Sequence, residues 1–216
     1  MKRRFTIIRI LRVTFGLFVF SFGEYLSIIA NVGLPPWEVL SMGISNHLPF
    51  SFGTVHIAIA VIILMIDLLL KEVIGIGTIL DAVLCGTFVD LFSAVLPFSN
   101  INNKALGFVL LIVSMFVMAL GQYFYMDGGL SCGPRDTLLV AIGKRLRKLP
   151  IGLVQIFITI ALVIVSYFIG GPVGIGTLIA MFGIGTCMQI VFSIFHFDPR
   201  SVVQEDLISS IRNLTK

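Results

Sequence analysis

The chain contains one pattern of residues twice. Gly23-Glu24-Tyr25 returns as Gly121-Gln122-Tyr123, and Pro36-Trp37-Glu38 returns as Pro134-Arg135-Asp136, in both cases 98 residues later. A second block of matches has an offset of 99 and consists of Gly53 with Gly152, Gly75-Ile76-Gly77-Thr78 with Gly174-Ile175-Gly176-Thr177, and Gly86 with Gly185. One inserted residue between the blocks keeps the copies in register, so we expect a fold built from two related halves.

Composition places both halves in a membrane. Hydrophobic residues make up 57% of the chain and charged residues 12%, whereas a soluble domain carries about 25% charged residues. Several apolar runs approach the roughly 20 residues that a spanning helix needs, and they are continuous rather than alternating, which excludes a transmembrane β-barrel. The net charge of +4 does not indicate nucleic-acid binding, because the basic residues flank the apolar runs.

We predict an all-α polytopic membrane protein with six spanning helices and two short connecting helices. The spans are predicted at Ile7–Ala30, Gly53–Leu70, Gly75–Leu96, Ala105–Met126, Gly152–Ile169 and Gly174–Phe195. The two longer connections hold the short helices, Pro36–Asn46 and Pro134–Lys148. Proline suits the first turn of a helix, and Glu38 and Asp136 place negative charge in that turn.

The basic residues predict how the spans are oriented. If the N-terminus is cytoplasmic, fourteen of the fifteen Lys and Arg residues face the cytoplasm and only Lys104 lies outside. That bias predicts cytoplasmic N- and C-termini. Each copy of the repeat holds three spans, an odd number, so the second copy must enter the membrane from the opposite side. Residues 1–216 are therefore expected to form one transmembrane domain with a 3+3 inverted-topology repeat, whose copies cover residues 13–96 and 111–195.

The tail after the last span is predicted to be a short cytoplasmic amphipathic helix over residues 198–216. Its apolar stripe would run through Val202, Val203, Leu207, Ile208, Ile211 and Leu214. Such a helix lies either on the membrane surface or in solvent.

Acidic residues inside apolar spans are candidate site residues, since a charge in hydrocarbon is costly. Glu24, whose repeat partner is Gln122, is placed near or just beyond the midplane and is either a site residue or a carboxyl hydrogen-bonded to a neighbouring helix. Asp81 shares a helix face with Cys85. Asp90, nine residues from Asp81, lies on nearly the opposite face, so the two cannot form one carboxylate pair.

The Gly-x-Gly-Thr elements begin the third and sixth spans. A glycine-rich turn at a helix start leaves free backbone N–H groups at the positive end of the helix dipole, and such ends bind substrate in inverted-repeat transporters. Gly77, Thr78, Gly176 and Thr177 are therefore candidate donors to a ligand. The alternative is tight packing of small residues between helices. The spacing does not match a dinucleotide-binding motif.

The short helices carry a second candidate pair. Trp37 and Glu38 occupy the start of the outer short helix, and Arg135 and Asp136 occupy the same place in the inner one. We interpret them as gate or loop residues of re-entrant segments, with interfacial anchoring by Trp37 and helix capping by Arg135 and Asp136 as the alternative.

No residue pattern predicts an enzyme. His47, His56 and His196 join no serine or acid in a catalytic spacing, and the three cysteines form no CxxC pair. We therefore expect neither a metal site nor a cofactor, and no catalytic activity.

The sequence Gly33-Leu34-Pro35-Pro36-Trp37-Glu38-Val39-Leu40, followed by the Gly-x-Gly-Thr helix start, resembles the YczE/YyaS/YitT family of bacterial membrane proteins, and most of all its YczE branch. The resemblance covers residues 10–197. It implies a multi-pass protein of the bacterial cytoplasmic membrane, and it suggests an accessory or export role in nonribosomal peptide production. It implies no settled substrate and no functional residues.

Two functional hypotheses follow from these patterns. The first is a small secondary transporter of an unknown solute, with its site between the two halves and Glu24 and Asp81 binding a proton or cation. The second is a non-transporting accessory protein that binds a cytoplasmic enzyme through the basic segment Leu130–Pro150 and the tail. The lipid bilayer is a partner in either case. The small size is compatible with a homodimer, for which no particular residue argues.

Overall fold

The computed structural model describes residues 2–96, 100–146, 149–198, 202 and 205–207, and for residues 2–6 it describes the backbone alone. The described residues contain eight α-helices and no strand. The helices are α1 (Lys2–Ala30), α2 (Pro36–Ser45), α3 (Phe52–Leu69), α4 (Ile76–Val95), α5 (Lys104–Asp127), α6 (Pro134–Arg145), α7 (Ile151–Phe168) and α8 (Ile175–Ile194).

The observed helices confirm the predicted elements, and their boundaries follow local chemistry. Ser51 accepts a hydrogen bond from the Thr54 N–H and so caps α3, and Asn103 caps α5 in the same way. Proline occupies the first helical position of α2 and α6, where its missing N–H has no cost. Six helices, all but α2 and α6, are long and apolar enough to cross a membrane. Large apolar side chains remain exposed along all six of them, so the bilayer contacts the protein there.

The centre of the bundle is the crossing of α1 and α5, which is the most extensive contact between any two helices. Glycines permit the close approach. A Cβ placed on Gly16 would lie 2.4 Å from the Tyr125 nitrogen, and one on Gly121 would lie 2.4 Å from the Phe20 nitrogen. Gly23 packs in the same way against the backbone of Ser114 and Met118. Small residues at a crossing let helix backbones touch where the hydrophobic effect does not drive association.

The remaining helices are arranged around this crossing so that the halves interlock. Helix α4 packs on α1, and α8 packs on α5. The short helices each cross to the other half: α2 packs on α7, and α6 packs on α3. Backbone bonds fix the chain before each short helix, because Gly77 N–H donates to the Leu130 carbonyl and Gly176 N–H donates to the Val32 carbonyl.

The short helices run from the interior of the bundle to its surface. Pro36 and Pro134, at their N-terminal ends, are buried, whereas Asn46 and Arg145, at the other ends, are exposed. The N-terminal ends of α2 and α6 therefore both point at the middle of the protein.

The halves differ at one contact. Gly53 of α3 lies against Gly86 of α4, so closely that a Cβ on Gly53 would be 2.1 Å from the Gly86 carbonyl oxygen. The residues 99 positions later are Gly152 of α7 and Gly185 of α8, and a Cβ on either would meet nothing within 4 Å. Over the described residues, α3 and α4 pack along their length and α7 and α8 do not.

Most of the predicted tail helix over residues 198–216 lies outside the described residues. The described part of the tail makes backbone contact with the bundle, because Glu205 N–H donates to the Gly129 carbonyl and Leu207 N–H donates to the Ile74 carbonyl. Glu205 also forms an ion pair with Arg9 of α1.

The glycine crossing predicts opposite effects for two Gly→Ala substitutions. Gly121→Ala forces a Cβ into the backbone of α1 and should lower the free energy of unfolding by about 1–3 kcal/mol. Gly185→Ala meets no neighbour and should be neutral, or stabilising by up to about 1 kcal/mol through helix propensity. Thermal unfolding of both variants in one detergent measures the difference. Equal stability of the two variants would contradict the crossing.

Candidate functional site

A cavity of about 750 Å³ lies inside the bundle and extends between α7 and α8. It reaches Phe197 and Asp198, beyond the end of α8. All four residues predicted as gate or loop residues line it, as do two predicted binding residues, so the cavity brings together Trp37, Glu38, Asp81, Gln122, Arg135 and Asp136. Its remaining polar lining comes mainly from His56, Tyr125, Gln155, Thr159 and Gln189.

Arg135 occupies the centre of the site. Its Nη1 donates to Glu38 Oε1 at 2.8 Å, and its guanidinium carbon lies 5.2 Å from the centre of the Trp37 ring. Its Nη2 donates to His56 Nε2 at 3.1 Å. Glu24 is slightly farther, with Oε1 at 3.9 Å from Arg135 Nη1. The residues that the repeat relates, Trp37-Glu38 and Arg135-Asp136, thus meet each other directly.

This contact shows how deep the short helices reach. Glu24, which lies 3.9 Å from Arg135, is six residues before Ala30, the last residue of α1. At 1.5 Å per residue it is roughly 9 Å from that end of the helix, so Arg135 reaches to the same depth. The prediction places Glu38 and Arg135 in connections on opposite sides of the membrane, and the 2.8 Å contact requires that they meet within the bundle. Arg135, counted above among the cytoplasmic basic residues, is therefore an interior residue with a side chain 17% exposed.

The site holds more acidic than basic groups. Four carboxyl groups surround one guanidinium, and only Glu38 bonds to it directly. Each N-terminal end of α2 and α6 supplies about half a positive charge, so about two negative charges remain when all four carboxyl groups are ionised and His56 is neutral. The fully buried carboxylate of Glu24 has no hydrogen-bond donor among the described residues. A bound cation or a proton would balance this charge.

Asp81 and Asp136 are two further acids on the cavity wall, and the Asp81 carboxyl group lies against Gly133. A Cβ on Gly133 would lie 2.1 Å from Asp81 Oδ2 and 3.5 Å from the Tyr125 hydroxyl oxygen. Asp81 accepts a hydrogen bond from the Cys85 thiol at 3.0 Å, as their shared helix face predicts, and Asp136 accepts one from Gln122 at 3.1 Å. We call Asp81, Gln122, Tyr125 and Asp136 the diacid group.

The Gly-x-Gly-Thr elements lie beside the chain that leads into each short helix. The N–H groups of Gly77 and Gly176 donate to backbone carbonyls, as described above. The Thr78 hydroxyl donates to the Cys132 carbonyl, and the Thr177 hydroxyl accepts from the Gly174 N–H. In this structure the two elements hold the short helices in place, and their role as donors to a ligand stays a prediction.

Two members of the site were not predicted from the sequence. His56 lies in the first turns of α3 and Tyr125 near the end of α5. Tyr125 is 3% exposed, and its hydroxyl has no hydrogen-bond partner among the described residues. The only signal in the sequence was a polar atom within an apolar span. Asp81 and Asp90 lie on different faces of α4, as the sequence predicts. Asp90 accepts hydrogen bonds from the Gly53 N–H and the Ser51 hydroxyl, away from Asp81.

A family model described as a family of unknown function, DUF6198, matches residues 7–193. The chain is 30% identical over 176 residues to the uncharacterized membrane protein YczE of Bacillus subtilis, covering 79% of this chain and 80% of YczE. This chain therefore belongs to the same family of membrane proteins. The chain is also similar to an uncharacterized protein of Haemophilus influenzae, at 28% identity over 83% of this chain and 81% of that protein. It is similar to the uncharacterized protein YyaS of B. subtilis, at 26% identity over 77% of this chain and 83% of YyaS. No solved structure matches the chain.

The family assignment agrees with the resemblance recognised in the sequence and with a multi-pass membrane protein. The family match covers both halves of the chain and every residue that lines the cavity except Phe197 and Asp198. The cavity is therefore built from the part of the chain that the family shares.

The buried position of Arg135 predicts a large cost when it is removed. Arg135→Ala leaves Glu38 and Glu24 without a counter-charge and should lower stability by about 3–5 kcal/mol. Removing Glu38 as well should restore part of that loss, because one uncompensated charge disappears. The matched control is Arg12→Ala. Its pair with Asp127 is partly exposed, so it should cost at most about 1 kcal/mol. Thermal unfolding of four variants, Arg135→Ala, Glu38→Ala, the double variant and Arg12→Ala, measures these losses, and equal losses for Arg135→Ala and Arg12→Ala would contradict the prediction.

Proposed function

We propose that this protein is a small secondary transporter whose two halves open the central cavity to one side of the membrane at a time. The observation that carries the proposal is the contact that one half makes and the other lacks. Gly53 touches Gly86, whereas Gly152 and Gly185 stand free of each other. In an inverted repeat, exchanging the conformations of the two copies produces the opposite-facing state.

The cavity has the position that this mechanism needs. It lies against the α1–α5 crossing, receives the N-terminal ends of both short helices, and extends through the gap between α7 and α8. With cytoplasmic termini, as the basic residues predict, the inner end of this gap faces the cytoplasm. The tight α3–α4 pair would then close the outer side. The structure corresponds on this proposal to an inward-facing state.

The two closures are not chemically equal. On the closed side, Asp90 accepts hydrogen bonds from the Gly53 N–H and the Ser51 hydroxyl. The residues 99 positions later are Gln189 and Pro150, which provide neither a charge nor a hydroxyl. Closure of α7 on α8 is therefore expected to be weaker than closure of α3 on α4. This difference explains why the structure is closed between α3 and α4.

The proposal predicts that loss of Asp90 shifts the balance between the two states. Asp90→Ala removes two hydrogen bonds to a charged group, of about 1.5–3 kcal/mol each in other proteins, and should raise the population of the opposite state at least tenfold. Double electron–electron resonance between two pairs of spin labels measures the distance across each closure. One pair is at positions 54 and 95, the ends of α3 and α4, and the other is at 153 and 194, their counterparts in α7 and α8.

The expected result is a coupled change, in which the 54–95 distance increases and the 153–194 distance decreases in the same fraction of molecules. The labels require replacement of the three native cysteines, all of which are free. Asp127→Ala is the control, because its acid pairs with Arg12 outside the cavity. If only the 54–95 distance changes, α3 and α4 separate without closure of α7 on α8, and alternating access is refuted.

A second substitution predicts a block in one direction. Gly185→Leu is expected to fill the space that α7 would need to approach α8, and the Cβ that it adds meets no neighbour within 4 Å. In the Asp90→Ala background it should return the 153–194 pair to its long distance while the protein keeps its thermal stability. A 153–194 distance that shortens despite the leucine would show that Gly185 is not part of the closure.

A further inference from the structure

The diacid group gives the cavity a chemical preference. Asp81 and Asp136 come from α4 and α6, and both line the cavity, where Gly133 leaves room for the Asp81 carboxyl group. Each carboxylate is bonded by a neutral donor only, Cys85 in one case and Gln122 in the other. Arg135 donates its hydrogen bonds to Glu38 and His56 instead of to either aspartate. When its two carboxyl groups are ionised, the diacid group therefore carries negative charge that no cation bonds directly.

An unpartnered hydroxyl points to a ligand at the same place. Tyr125 is almost fully buried, lines the cavity, and has a hydroxyl without a partner among the described residues. A buried hydroxyl without a hydrogen bond costs about 1–3 kcal/mol. A protonated amine offers donors to both carboxylates and to the phenol oxygen. Ordered water would satisfy the hydroxyl but would leave the carboxylates charged.

The rest of the wall is apolar and restricts the ligand further. The apolar residues that line the cavity include Leu17, Phe20, Met118, Met181, Met188 and Phe192. A volume of about 750 Å³ lies within the range of sites for drug-sized organic molecules and far exceeds one inorganic ion. Methionine side chains adapt to ligands of different shape. Trp37, which has Arg135 over its ring, lines the same cavity.

We propose that the cavity binds an amphipathic organic cation, with an ammonium group at Asp81 and Asp136 and an apolar body against the α1, α5 and α8 side chains. The inference rests on the proposed function only in so far as this cation is the transported solute, because binding can be measured without transport. Anionic solutes are expected to be excluded, since Arg135 already bonds Glu38 and the net charge of the wall is negative.

The single tryptophan of the chain, Trp37, reports occupancy directly, because it lines the cavity. Nitroxides quench tryptophan fluorescence on contact, and three that share one ring differ in charge: 4-amino-TEMPO, whose amine is protonated to an ammonium group at neutral pH, 4-hydroxy-TEMPO and 4-carboxy-TEMPO. With the full chain in detergent, the ammonium compound should quench with saturation, at a half-saturating concentration at least tenfold below that of the neutral compound. The carboxylate should quench only linearly, by collision.

Substitutions then locate the charge recognition. Asp81→Asn and Asp136→Asn should each raise the half-saturating concentration of the ammonium compound at least tenfold and leave quenching by the neutral compound unchanged. Asp127→Asn makes the same change of charge outside the cavity and should behave as wild type. The thermal stability of the wild-type chain supplies a reading without variants, because a ligand of the folded state raises it. The ammonium compound should raise it more than the neutral compound does.

Three outcomes would overturn the inference. Equal quenching by the ammonium and neutral compounds would mean that the carboxyls carry protons instead of binding a cation. Tighter saturation by the carboxylate would mean that Arg135 and the helix ends dominate recognition. Unchanged ammonium binding in both Asp variants would place the charge recognition elsewhere. None of these outcomes depends on the spin-label distances. The transport proposal can therefore be refuted while cation binding is confirmed, and cation binding can be refuted while the transport proposal is confirmed.

Discussion

The close crossing of α1 and α5 is the contact on which the other features depend. Gly16, Gly23 and Gly121 bring the two backbones together, and no larger residue fits where their α-carbons face the opposite helix. Lipid chains are as apolar as leucine, so helices in a membrane associate through close packing and hydrogen bonds instead of through the hydrophobic effect. Glu24 and Gln122 each follow a glycine of this crossing, which is how both polar groups come to lie at the central site.

The interlocked short helices explain how so many polar groups are tolerated inside the bundle. A buried charge needs an opposite charge and hydrogen bonds, and breaking such a pair costs more than the pair contributes. Arg135 meets this condition by reaching Glu38 and His56 from the other half of the chain. Because α2 and α6 each pack on a helix of the other half, the charges are joined across the site only when both halves are folded together.

The shared scaffold and the differing contacts have separate consequences. Matching glycines in the two copies serve the same packing at α1 and α5, and the Gly-x-Gly-Thr elements hold both short helices by equivalent backbone bonds. The pairs α3–α4 and α7–α8 have matching glycines as well, and only the first pair touches. On the proposed transport mechanism, the two arrangements are exchangeable conformations of the two copies, and the cavity beside the open pair is a binding site with a route to one side.

The sequence alone determined the class of protein, the number and limits of the spans, and the two short helices, because apolar run length, proline position and capping act within a few residues. It also selected Trp37, Glu38, Arg135 and Asp136 as a related set. It could not show that these residues touch, since their approach depends on how α2 and α6 re-enter the bundle. The search for acidic residues within the spans did not identify His56 or Tyr125 as members of the site. Only the tertiary structure decided which glycine pair is closed and which acids face one cavity, because those properties arise from contacts between helices that are far apart in the sequence.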